Sequence, residues 1–212
     1  MPKFINKVIK ILIASDFFLN LGWGFMGPIF TVFIIEKIAT GSTAEAVQIA
    51  GFASMIYWVV KSILQIPVGH YLDRNHGEKD DFWFMTIGTF LVAFVPLAYL
   101  FSSQVWHLYL TQVFYAIFSA MLVPSWSAIF TRHVDRGREA VEWGSYSTAF
   151  GIAGGISGGV GGMAVASFGF EAVFIFISLF TALSALLLLA IKSEISPQNK
   201  ETIRVPIEKM PL

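Results

Sequence analysis

Residues 69–81 read GHYLDRNHGEKDD, the densest block of charge in a chain that is otherwise oily. An apolar run carrying Pro67 leads into the block, and the charge-free run FWFMTIGTFLVAFVPLAYLF, residues 82–101, leaves it. A short charged block between two runs long enough to cross a bilayer is the pattern of a hairpin joining membrane helices. The spacing puts the turn over 69–81 and places Asp73 to accept hydrogen bonds from free backbone N–H groups at a nearby helix start. Arg74 and Lys79 mark the side facing the cytoplasm.

Composition bounds the rest. The 212 residues are 56% hydrophobic and 13% charged, where a soluble domain carries about 25% charged residues. Too little charge remains to cover a water-facing surface, so an integral membrane protein is expected, with the lipid bilayer as its surroundings. Net charge is zero, which gives no footprint for nucleic acid. With no cysteine there is no disulfide, thiolate metal site or thiol nucleophile. His70, His76 and His133 sit in or beside charged loops and His107 lies near the opposite face, so they form no metal set. Nothing in the sequence calls for a cofactor.

Six apolar segments are long enough to span, over residues 11–35, 46–69, 82–101, 105–131, 140–167 and 172–191. The first is too long for a secretory signal core and no small-residue cleavage site closes it, so it reads as a retained helix. Short connections make consecutive helices antiparallel. Of the 14 Lys and Arg, 12 then fall on one side, among them Lys7, Arg74, Arg132 and Lys192. Only Lys37 falls on the other, and Lys61 lies within a helix. That asymmetry predicts a multi-pass protein of the plasma membrane with both termini cytoplasmic.

Asp16 and Lys61 are the two clear intramembrane charges, each costing up to a few kcal/mol near the bilayer centre. They lie about 7.5 Å and about 13 Å from the cytoplasmic ends of their helices, at a rise of about 1.5 Å per residue. Those depths are close enough for a direct or water-bridged pair. Each heads a polar stripe at helical spacing: Asp16, Asn20, Trp23 and Gly27 on helix 1, then Ser54, Tyr57, Trp58, Lys61 and Gln65 on helix 2. Gln112, Tyr115, Ser119 and Trp126 form a third on helix 4. Aromatic stripes are more often plain packing, but packing does not require Asp, Lys, Asn and Gln among the rings. Three such stripes fit a polar, substrate-binding cavity between helices.

Taken together, these stretches resemble one half of a transporter of the major facilitator superfamily. Gly69, Asp73 and Arg74 fall on its signature loop between the second and third helices; the turn glycine arrives one place late, at Gly77. In LGWGFMGPIF, Gly22 and Pro28 repeat a helix-1 motif of the family, with Thr31 at its second proline. Pro124 lies at a matching depth in helix 4, and paired proline interruptions in corresponding helices of two three-helix units point to a midplane binding site. Helix 5, GSYSTAFGIAGGISGGVGG, resembles the family's glycine-rich helix, although Ile156 or Gly159 stands where that motif has proline. Its stripes Gly151, Gly155, Gly159 and Gly154, Gly158, Gly162 are expected to pack closely on a neighbour. Gln112 occupies the place of the family's frequent membrane arginine, and FGFEAVFIF resembles the opening of its sixth helix.

The resemblance implies an all-α membrane fold of two three-helix repeats over residues 1–192, then a polar tail over 193–212 like the linker between two halves. It implies secondary transport of a small molecule by alternating access, with Gly69, Asp73, Arg74, Pro28 and Pro124 in the conformational change. A parallel homodimer would supply the missing opposing half, its Asp73 meeting the partner's helix 5; the alternatives are a fragment of a twelve-helix transporter and a non-transporting membrane partner protein. An enzyme is not expected. Gly-Ile-Ser-Gly at 155–158 matches the serine motif of rhomboid proteases, but all four histidines precede Ser157 and helix 6 offers none to activate it.

Overall fold

The computed structural model describes residues 5–39, 41–74 and 77–195. Its helices are α1 (Lys7–Trp23), α2 (Met26–Lys37), α3 (Thr43–Arg74), α4 (Glu78–Val92), α5 (Val95–Leu100), α6 (Val105–His133) and α7 (Glu139–Leu188), followed by a 3-10 turn over Leu189–Ile191. Among the described residues there is no strand. Most of the expected tail lies outside them. The all-helical membrane fold follows directly from the long apolar runs, because only internally bonded helices satisfy the backbone in lipid.

Five helical stretches are long and apolar enough to cross a membrane, the last of them running 53 residues over Glu139–Ile191. That last stretch holds two spans. Gly169 leaves helical geometry at φ 77° and ψ 170°, a conformation that a Cβ would penalise. Before it, Gly161 packs on Phe25 and Pro28; after it, Ile177 packs on Gly22. The two arms of α7 therefore return to the same level, and six spans cross the fold.

Two spans are broken, each four residues before a proline. Pro28 has no N–H to bond the carbonyl of Gly24, and α1 stops at Trp23 with α2 starting at Met26. Pro96 likewise cannot bond Val92, and α4 ends there before α5 begins at Val95. By contrast α6 runs unbroken through Pro124, as α3 does through Pro67. The expected interruption at Pro124, paired with Pro28 in the corresponding helix, is thus absent, and the second break falls at Pro96, in the same three-helix unit as Pro28. Gly88 of α4 brings its backbone so close to α6 that a Cβ there would sit 3.0 Å from both the Leu122 nitrogen and the Phe118 oxygen.

The charged turn is also shorter than expected. Helix α3 continues through Gly69 to Arg74, and α4 starts at Glu78. A single glycine costs a helix only about 1 kcal/mol, and Leu72, 2% exposed, anchors the last turn in the core. Gly77, which has no side chain to cap with, stands at the start of α4, and Asp73 is exposed at the end of α3.

The glycine stripes of α7 need a second correction. A Cβ added at Gly151, Gly155 or Gly159, or at Gly154, Gly158 or Gly162, would meet nothing within 4 Å. The face that packs lies between them: Ala153, Ser157 and Gly161 are buried. A Cβ at Gly24 would come within 1.8 Å of the Ser157 hydroxyl, and one at Gly161 within 2.9 Å of the Pro28 ring. Close approach of α1 and α2 to α7 thus depends on small residues, as expected where lipid removes the hydrophobic drive.

Two apolar clusters hold the bundle. One gathers Phe33, Ile34, Tyr99, Phe174 and Ile177; the other gathers Ile9, Leu12, Phe82, Met85, Ile129 and Phe130. The second lies at the end carrying Lys7, Arg74, Glu78, His133 and Glu139, hereafter the basic end. Polar clamps close that end. The Arg132 guanidinium pairs with the fully buried Asp81, and His133 Nδ1 lies 3.4 Å from Glu78 Oε1. Asn6 donates to the His133 carbonyl and accepts from Ile9 N–H at 2.9 Å, capping α1.

Candidate functional site

Between the two clusters the polar stripes line cavities. Toward the basic end, a cavity of about 440 Å3 is walled by Asp16 and Asn20 of α1, Lys61 of α3, Ser119 and Trp126 of α6, and Tyr146 of α7. Beyond it, a second cavity of about 420 Å3 is walled by Gly27, Ser54, Tyr99 and Gln112. Both volumes suit a small ligand.

Trp23, Tyr57 and Tyr115 line both cavities, and their rings form one continuous stack. Trp23 and Tyr115 lie 4.3 Å apart with planes 8° from parallel, and Tyr115 and Tyr57 lie 4.4 Å apart at 24°. Three helices each contribute one ring: α1, α6 and α3. Offset stacking of this kind contributes about 0.5–1.5 kcal/mol per pair beyond the buried area. The stack stands between two spaces that together run along the bundle.

Asp16 and Lys61 share the first cavity, but no ion pair within 4 Å joins them. The expected direct pair is therefore absent, and each charge has other company. The Asp16 carboxylate accepts from Asn20 Nδ2 at 2.8 Å, with the Tyr146 hydroxyl also against it. The Lys61 ammonium lies over the rings of Trp58, 4.8 Å from the centroid, and Tyr57, at 5.6 Å. Matching depth along two helices brought the charges into one space, where each takes a partner on its own helix.

The structure thus brings Asp16, Asn20, Trp23, Tyr57, Lys61, Gln112, Tyr115 and Trp126 to the walls of two adjoining cavities. Gln65, the last residue of the stripe on α3, lines neither. Trp143, Tyr146 and Phe150 of α7 line the first cavity as well. Their spacing of three and four residues puts them on one helical face, a signal that the surrounding glycines obscured. Ser157, in the protease-like tetrapeptide, is fully buried and donates to the Ala153 carbonyl at 2.7 Å. It packs against Gly24 and faces no cavity opening.

The sequence pattern of the Major Facilitator Superfamily matches residues 12–210. The chain belongs to that superfamily. It is also 26% identical over 202 residues to an uncharacterised MFS-type transporter of Methanocaldococcus jannaschii, an alignment covering 95% of this chain and 50% of the relative. The chain therefore spans about half the length of the curated relative it matches. Family membership and the apolar helices make this a multi-pass membrane protein of a transporter family rather than an enzyme family.

Proposed function

We propose that this chain forms one wall of a secondary transporter that moves a small molecule across the membrane by alternating access. One observation carries the reading: a cavity with an acid, a lysine and several rings lies inside an apolar bundle, divided by an aromatic stack from a second cavity. Intramembrane charges are expensive, and lining a ligand path is the usual return for that cost. The bias of Lys and Arg supports a cytoplasmic basic end, at the plasma membrane.

With no native cysteine, single cysteines can report access. Ser54→Cys in the second cavity should react with a membrane-impermeant maleimide applied only from outside. Ser127→Cys in the first cavity should react only from the cytoplasm. A channel would label both from either side, and a sealed bystander would label neither; each result would remove the carrier reading. Swapped sides would reverse the orientation.

The opposing wall, in this reading, is a second copy of the chain. The unpacked glycines of α7 support it, since Gly151, Gly155 and Gly159 leave a smooth face with no neighbour among the described residues, the surface that close helix approach in lipid uses. Asp73 and Ser147 are both exposed, whereas Glu142 is fully buried and accepts from the Asp135 N–H at 3.2 Å. A cysteine at 73 and another at 147, on separately tagged chains, should cross-link between copies in bilayers. Absence of that cross-link in a protein that runs as a monomer would assign the wall to another polypeptide segment.

A further inference from the structure

We propose that the first cavity selects an organic anion with a flat apolar body, its charged group held by Lys61. This rests on the transport reading above and names the class of substrate. Hydrogen-bonding capacity in the cavity is lopsided. The one carboxylate, Asp16, is engaged by Asn20 and Tyr146. The Lys61 ammonium has no such partner. Lys61 makes no ion pair and rests over aromatic faces.

An ammonium can only donate, so what Lys61 lacks is an acceptor. A carboxylate, sulfonate or phosphate supplies several acceptor oxygens, and its charge strengthens each bond. A cation has nothing to offer this donor and would meet its charge. The remaining wall favours a planar, apolar body: Trp126 stacks on Phe130 at 4.8 Å and 18°, and Tyr57 and Tyr115 present the edge of the partition.

The test compares three probes of one shape, 2-naphthoate, 2-naphthamide and 2-naphthylmethylammonium, by equilibrium dialysis against the full chain in mild detergent. Naphthoate should bind at least about tenfold more tightly than the amide, the scale of a hydrogen bond to a charged group, and more tightly still than the ammonium. Lys61→Gln should bring naphthoate and amide within about twofold of each other, while Lys61→Arg retains the preference. Asp16→Asn, which removes a repelling charge, should tighten naphthoate. Equal binding of the three by the wild-type protein, or preference for the ammonium that Asp16→Asn abolishes, would overturn the anion assignment while leaving the cavity a ligand site. Binding of none of the three would overturn the cavity itself, and the assignment with it. The wild-type comparison decides the matter even if a variant fails to fold.

Discussion

Arg132→Leu is expected to cost the folded protein about 3–5 kcal/mol, the cost of leaving one member of a buried ion pair without its partner. Asp81 is fully buried at the start of α4, and its Oδ1 already lacks a hydrogen-bond partner. Its other oxygen depends on the Arg132 guanidinium. Without Arg132 the carboxylate keeps its desolvation cost and loses the cation paired with it. Asp81→Leu combined with Arg132→Leu should restore most of the stability, because a well-packed apolar pair is often as stable as the ionic one. Thermal unfolding in mild detergent, followed by tryptophan fluorescence, reads both. A single variant as stable as wild type would show that water reaches Asp81 and that the pair does not clamp α4 to α6. The exposed Lys7–Glu194 pair, 62% and 41% open to solvent, is the internal contrast: its loss should cost under about 1 kcal/mol.

That clamp was not legible in the sequence, and the reason is general to this fold. Asp81 and Arg132 stand 51 residues apart, and nothing local marks them as partners. What was legible followed from one-dimensional rules. Apolar length gave the spans, because lipid enforces internally bonded backbone. Helical spacing gave the cavity walls, because residues three and four apart share a face; Asp16 and Asn20 even bond at that spacing.

Three-dimensional choices were beyond those rules. Four prolines lie inside apolar spans, yet only Pro28 and Pro96 break theirs. Gly88 presses on α6 at Phe118 and Leu122, in the turn before Pro124, a contact that no local pattern marks. On α7 three parallel stripes of small residues were available, and their periodicity is the same. Which one packs was decided by where Gly24 and Pro28 press, against Ser157 and Gly161. The Asp16 and Lys61 case is similar: depth can be counted along a chain, whereas the partner each charge takes depends on packing.

The largest functional effect is expected at Tyr115. Its ring is the middle layer of the stack, touching Trp23 on one side and Tyr57 on the other. Among the described residues no other ring stacks on both. Tyr115→Ala removes the layer that two neighbours lean on and joins cavities of about 440 and about 420 Å3. A carrier needs its two openings closed in turn, so a joined path converts it into a leak. In the cysteine assay, Ser127→Cys with Tyr115→Ala should become reactive toward maleimide from the outer face as well as the inner. Tyr115→Phe keeps the ring and should keep the one-sided pattern, which separates the partition from any role of the hydroxyl. Truncating a large aromatic costs about 3–5 kcal/mol in a packed core, so folding of the alanine variant is checked by its elution. Tyr57→Ala, at the edge of the stack, provides the milder version of the same change. One-sided labelling that survives loss of the Tyr115 ring would mean the stack is wall packing, with the barrier lying elsewhere along the bundle.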